Sequence, residues 1–489
     1  MANSSTLYTV QSKQLGYTLW IHFQDKFTSL VNNDVRDFAS LEAVVDSSGA
    51  AAREVRYAVE PARPVSNAQM RDVGANGSAF INGEADNISE KTAYAKQLDV
   101  VGEFDYDVYK RAEKSPSEVY VGPMGMTLDR IAVNAKESLL IQYYGDGSGA
   151  QSTVASVDAT TTTMTITLRN TSAYGGCKYW LRAKQQIVFA SAAGVYHVAG
   201  CSDGTAVYAV VDSLNYETGV AILKWYTAAG VLLTVNAAGS PAVAADDIIY
   251  NYSDQANGFD TTAPHRTNLL AGTGDWGQLL YMPGLQSLGS APSTCGTGAA
   301  GRVVNGTTLA GTYAGTVVDK SAVNLFFTDF ADLFAQINRN VGEGKFDYPQ
   351  LKCSFKTWSY VTNLDEGSKL LRPVVEQSPN GRGEKKYMYD HGDYSAALVS
   401  RRFVPDFEII AEPKLVDVQG MGEVTREGPL MFKFTGFEYI MEPGSSEMFR
   451  FKISGGNRIK TVQAHLGTYG TFVCTQSAGI GRIVNFSIA

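Results

Sequence analysis

One stretch constrains this chain more than any other: an amphipathic helical pattern that runs straight into Tyr143-Tyr144-Gly145-Asp146-Gly147-Ser148-Gly149. From Leu128 the apolar residues fall at Ile131, Ala132, Ala135, Leu139 and Tyr143, a spacing that keeps one helical face apolar. Thr127 can accept the first free backbone N–H groups, and Gly145 supplies the stop. Roughly four to five turns are expected. Taken alone, the pattern also fits an ordinary core helix with a glycine-rich end.

Length divides the rest. With 489 residues the chain exceeds a single simple core, so roughly two or three domains are expected, each large enough to fold without staples. The five cysteines, Cys177, Cys201, Cys295, Cys353 and Cys474, lie far apart with no Cys-x-x-Cys. That arrangement suits reduced thiols better than a disulfide framework. The opening Met-Ala-Asn-Ser-Ser-Thr lacks the basic and apolar regions of a signal peptide, so the chain is expected to stay where it is made. The uncharged stretch from Trp225 to Ala245 is interrupted by Gly230, Asn236, Gly239 and Pro241, which argues for β pieces and against a membrane span. A net charge of -8 disfavours tight, sequence-independent binding to nucleic acid, which rests on Lys and Arg. It still permits a container for DNA.

Residues 1–36 read as an arm with the apolar cluster Leu19, Trp20, Ile21, Phe23 and Phe27. Leu41 to Val45, the turn-forming Asp46-Ser47-Ser48-Gly49 and Arg53 to Glu60 carry a hairpin signal, with Val55, Tyr57 and Val59 alternating against Glu54, Arg56 and Glu60. Pro61 and Pro64 stop that strand, and a two-stranded ribbon is marginal alone. It needs a neighbour. Further on, Glu103, Asp105 and Asp107 alternate with Phe104, Tyr106 and Val108 as in a half-exposed strand. Three carboxylates on one face could bind a cation, but the turn chemistry of a calcium loop is missing, so a solvated edge is the simpler reading.

From 151 to 255 charge becomes sparse and short β runs follow one another: 164–168, 187–189, 207–211, 221–223 and 231–235. Their spacing predicts an all-β barrel or sandwich. Helical texture resumes at Ser321, with Phe326, Phe330, Leu333, Phe334 and Ile337 on one face, ending near Gly342. A strand over 351–355 and a second helix around 358–364 follow, an α+β or α/β texture, and late in the chain Phe449, Phe451 and Ile453 alternate against Arg450 and Lys452.

The search for chemistry finds little. Gly272-x-Gly274-x-x-Gly277 spells a dinucleotide fingerprint, yet Pro283 follows and neither a helix nor the expected acid does. The five histidines show no zinc spacing. Asp390-His391-Gly392-Asp393 is the most active-looking group, and a polar loop explains it as well. No catalytic residue, cofactor site or metal site is expected.

The helix closing into 143–149, the charged ribbon before it and the strands 405–413 and 482–486 after it, in that order, resemble the major capsid proteins of tailed bacteriophages, the Hong Kong 97 fold family. That resemblance implies an α+β fold with an N-terminal arm at 1–36, an E-loop at 37–92 and a P domain with a spine helix at 93–150. It further implies an inserted β domain at 151–255, an A domain at 256–425 and C-terminal strands at 426–489. It implies a shell subunit that binds copies of itself as pentamers and hexamers. Portal, vertex proteins and a separate scaffold would be its partners, and the shell would form in the host cytoplasm and enclose double-stranded DNA without reading its sequence. Arg53, Arg56, Tyr57 and Arg63 of the ribbon, with Trp20 and Phe23 of the arm, are then the candidates for contact between subunits. The start lies so close to the ribbon that no fused scaffolding segment is expected. Some members of the family link an E-loop lysine to a neighbour, but no lysine occurs between Phe27 and Glu90, so covalent links are not expected. Two other readings stay open: an encapsulin-like compartment around an enzyme cargo, and a surface adhesin or glycan-binding module built on 151–255.

Overall fold

The computed structural model describes residues 42–45, 54–59, 89–94, 96–105, 130–252, 302–309, 316–415 and 430–487, apart from short breaks within those spans. Two compact units share the chain: Met1–Val55, Tyr94–Tyr143 and Met431–Phe472 make one, and Arg56–Ala93, Tyr144–Leu430 and Val473–Ala489 the other.

The first unit contains the long helix, whose described residues run from 130 to 144, the last of them at the border between the units. Ile131, Ala135, Leu139 and Tyr143 are all buried, which is the face that the apolar spacing marks out. Gly145 follows as a buried bend. The unit also holds a five-stranded sheet in which Phe449–Gly456 and Lys96–Asp105 both run antiparallel to the long strand Ile459–Cys474. Glu103 and Asp105 sit opposite Gln463 and Thr461 in that register, while Asp107 lies outside the described residues.

The expected hairpin between 41–45 and 53–60 does not form. Glu42–Val45 instead runs parallel to 431–434, and Glu54–Val59 makes a two-stranded sheet with Ser89–Tyr94. Turn-forming residues report only on partners adjacent in sequence, and a four-residue strand gains more by joining a larger sheet than from an isolated ribbon.

The second unit has two cores. The first is a closed barrel of six antiparallel strands: β1 (Ser152–Ala159), β2 (Met164–Leu168), β3 (Gln186–Ala190), β4 (Tyr208–Asn215), β5 (Val220–Tyr226) and β6 (Ile248–Asn251). The ring runs β1-β2-β5-β4-β3-β6 and returns to β1. Strict alternation fills it: Met164, Ile166 and Leu168 from β2, and Ala221, Leu223 and Trp225 from β5, point inward with Phe189 and Ile249. Register shifts in β1 between Val154 and Ser156, and in β4 between Val211 and Ser213, add the local bend that closure requires. On β3 and β6 the outward residues Val188, Ala190, Ile248 and Tyr250 are buried as well and form a second cluster with Tyr208. The Trp225–Ala245 stretch is thus strand and turn, and among the described residues no helix is long and apolar enough to cross a membrane.

The turn from β4 to β5 has a specific cause. Asn215 Oδ1 accepts the backbone N–H groups of Glu217 at 2.9 Å and Thr218 at 3.2 Å, and Gly219 takes a φ of +73°. A Cβ there would stand 3.1 Å from the Leu168 carbonyl oxygen, so only glycine fits without displacement.

The second core is a platform, a mixed seven-stranded sheet of β7 (Thr316–Asp319), β8 (Phe346–Cys353), β9 (Leu371–Gln377), β10 (Gly383–His391), β11 (Tyr394–Ser400), β12 (Glu408–Leu415) and β13 (Gly481–Val484), ordered β7-β13-β12-β8-β11-β10-β9. Helices α1 (Phe327–Val341) and α2 (Phe355–Asn363) contribute to its core. Phe330, Leu333, Phe334 and Ile337 of α1 are buried as the spacing predicts, whereas Phe326 lies before the helix and is 47% exposed. The strand expected at 351–355 ends instead at Cys353, because the Ser354 hydroxyl accepts the Thr357 N–H at 3.2 Å and starts α2. Pro373 sits in β9, the outermost strand, where a missing N–H costs least.

Candidate functional site

The most elaborate described constellation joins the two cores of the second unit. A single 3₁₀ turn, Lys178–Trp180, leaves the barrel, and Leu181 just after it belongs to the barrel core. Opposite it, the loop 401–407 between β11 and β12 presents Asp406. The Lys178 ammonium stands 2.9 Å from Asp406 Oδ2, with the two side chains 1% and 0% exposed. The Tyr179 hydroxyl lies 2.9 Å from both carboxylate oxygens, and the Ser354 hydroxyl donates to Oδ1 at 2.6 Å. One residue on, the Trp180 indole N–H donates to the Phe403 carbonyl at 2.8 Å.

This saturation is what burial of a carboxylate demands. Removing two opposite charges from water costs several kcal/mol per ion, and their attraction offsets this only where further hydrogen bonds satisfy the remaining lone pairs. Asp406 has such bonds from two hydroxyls besides the ammonium. Burial, and next the Asp406 charge, push the Tyr179 phenol far above its ordinary value, so it stays a donor. Burial likewise pushes up the thiols of Cys177, beside Lys178, and Cys353, beside Ser354. Both are therefore poor nucleophiles.

The loop itself is strained. Phe407 adopts a φ of +59°, a left-handed conformation that bulky residues avoid. Its N–H donates to Thr357 Oγ1 at 3.1 Å, and its ring meets Phe486 edge-on at 6.0 Å. Two contacts thus hold the residue where its backbone alone would not stay. A second buried pair lies on the platform, where Arg482 Nε approaches Glu408 Oε1 at 2.7 Å. Lys352, 0% exposed, occupies the same face, in register with Ile410, which itself faces Arg482.

Sequence gives none of these residues a site role, although Asp406, Phe407, Glu408 and Arg482 fall within the runs 405–413 and 482–486 that it marks as strands. The one available signal is local: Lys178 is a charge within Cys-Lys-Tyr-Trp, and Asp406 a charge between Pro405 and Phe407. The sequence candidates fall elsewhere. Trp20, Phe23, Arg53 and Arg63 lie outside the described residues, and Arg56 and Tyr57 are placed only as backbone positions in the strand 54–59. Gly272, Gly274 and Gly277 are outside as well. Asp390 and His391 end β10 opposite Ser395 and Tyr394, at the tip of the β10–β11 hairpin. Among the described residues no group of three or more His, Cys, Asp or Glu is placed to hold a metal ion.

No family model matches the chain, and no curated protein does. Among solved structures, the cyanophage A-1(L) capsid asymmetric unit aligns with 92% of this chain and 91% of its own, at 8% identity and a TM-score of 0.41. The capsid of a native GTA particle aligns over 93% and 90%, at 9% identity and a TM-score of 0.36. The holo-SrpI encapsulin of Synechococcus elongatus PCC 7942 aligns with 35% of this chain, at 10% identity and a TM-score of 0.23, and the match spans about half of that protein, 53%. Likenesses of this strength establish neither a shared fold nor a shared function.

Proposed function

We propose that this chain is the self-assembling subunit of a closed shell, the major capsid protein of a tailed bacteriophage of the Hong Kong 97 type. The observation that carries the reading is the long helix over 130–144: it buries the face of Ile131, Ala135, Leu139 and Tyr143 and closes into the glycine-rich run that the resemblance rests on. In this reading the platform is the A domain at the centre of each pentamer or hexamer. The ribbon of 54–59 and 89–94 is the E-loop, lying on a neighbouring subunit, and the arm reaches another. The barrel is an outward insertion.

Assembly needs no chemistry. Many contacts of ordinary size, roughly 1,600 Å² each in total, sum through multivalency into a stable cage. The buried Glu408–Arg482 pair inside the platform fits a part that must keep its shape while its edges are shared. Double-stranded DNA would be enclosed without sequence recognition, as a net charge of -8 allows.

Electron microscopy and analytical ultracentrifugation of the purified chain, alone and co-expressed with neighbouring genes, test the proposal. Closed particles of uniform diameter are expected. Persistent monomers under every co-expression would overturn it, and particles filled with one protein instead of nucleic acid would convert it to a cargo compartment.

A further inference from the structure

We propose that the 177–180 turn and the 401–407 loop form a conformational latch, a joint that can open to release the barrel from the platform while both cores stay closed. The inference does not depend on the shell reading.

Three observations carry it. The barrel is complete without the platform, since its six strands close on themselves around Ile166, Phe189, Leu223 and Trp225. The platform is complete without the barrel, with Phe330, Leu333, Leu351, Leu398 and Ile409 in a separate cluster. The joint between them, by contrast, concentrates features that weaken a contact: a fully desolvated Lys178–Asp406 pair and an aromatic residue, Phe407, in left-handed backbone. A buried ion pair adds little net stability over an apolar contact, and strained backbone subtracts from it. Local opening therefore runs through this joint before it runs through either core.

The geometry also says how the latch works. Lys178, Tyr179 and Ser354 all converge on one carboxylate, so the joint has a single keystone, Asp406. With it engaged, Trp180 docks on Phe403 and the barrel is fixed. With it released, Lys178 and Asp406 both regain water. That recovered hydration offsets part of the lost attraction and makes the open state reachable.

Hydrogen–deuterium exchange of the full chain at increasing urea tests this. In the unaltered protein, amides of 177–181 and 401–407 should exchange through a sub-global opening, at lower urea than those of β2, β5, β8 and β12. In Lys178→Met and Asp406→Asn, protection of the two latch segments should fall by roughly 100-fold or more relative to the unaltered protein, the scale of a buried charge losing its partner. Strands β2 and β8 should hold theirs. If the latch amides of the unaltered protein exchange only with global unfolding, the proposal is wrong, whatever the variants do. Equal loss of protection in latch, barrel and platform would also overturn it, since the pair would then be a general stabiliser.

Discussion

A Cβ placed on Gly481 would stand 2.7 Å from Ile337 Cδ1, closer than any real contact of that kind. Strand β13 and helix α1 thus touch backbone to side chain, and Leu333, one turn before Ile337 on the same helix, would stand 3.1 Å away. Gly481→Ala should lower the unfolding free energy by about 1–3 kcal/mol, the usual cost of overpacking a filled core. Urea denaturation measures it. Combining Gly481→Ala with Ile337→Val should recover part of the loss, and strict additivity of the two would show that they do not share the space.

The Glu408–Arg482 pair invites a different comparison. Arg482→Met leaves a buried carboxylate, 6% exposed, without this partner, and a loss of about 3–5 kcal/mol is expected. The double variant Glu408→Gln with Arg482→Met should cost clearly less than the two single losses added together. A denaturant series on all three variants decides the point.

Thiol chemistry gives a test that needs no mutation. Cys177 and Cys353 are buried and burial raises both pKa values, so a thiol reagent at pH 8 should leave both unlabelled without denaturant and, as urea is added, label Cys177 in the latch before Cys353 in β8. Cys201, partly exposed, should label sooner. Peptide mapping by mass spectrometry separates the sites.

Alkaline titration follows from Tyr389. Burial pushes its phenol up to about 12 from an ordinary 10.0. Since the folded form holds its proton longer, the stability this contributes is complete below pH 10 and is lost as pH rises from 10 through 12. Difference absorbance of the phenolate should show a late-ionising class that joins the normal class when the protein is unfolded first. Tyr179, raised further by burial and by Asp406, belongs to the same late class.

The ribbon arginines address the proposed function directly. Replacing Arg53 and Arg56 together with Glu should leave a soluble, folded subunit by circular dichroism and sharply reduce the yield of sedimenting particles. An undiminished yield would remove the ribbon from the assembly contacts.

Local pattern reveals some of this and hides the rest, for identifiable reasons. The apolar face of the long helix, the Phe330–Ile337 stripe of α1, and strands β2 and β5 follow from periodicity, because each buries a face whose spacing is written in consecutive residues. Strands β1 and β6, which close the barrel, escape notice: β1 begins with buried polar residues, Ser152 and Thr153, and β6 is a short run buried on both faces. The partner of 54–59 is hidden because it lies at 89–94 and not across the nearest turn. The latch is hidden most completely. Tyr179 and Asp406 are separated by 227 positions, and nothing in either neighbourhood names the other.

The closed ring of six strands has a consequence for life at high concentration. A row of unpaired backbone N–H and C=O groups is a template on which identical chains knit into fibres, and a shell protein would gather in great numbers within a small volume. Among the described residues every barrel strand has a paired neighbour on both sides, including the short seams where β1 meets β6 and β3 meets β4. Where the platform must end in a margin, Pro373 stands in the outermost strand and withholds a donor. In the proposed shell, neighbouring copies would therefore press these parts together without polymerising through them, and order would be left to the surfaces selected for it.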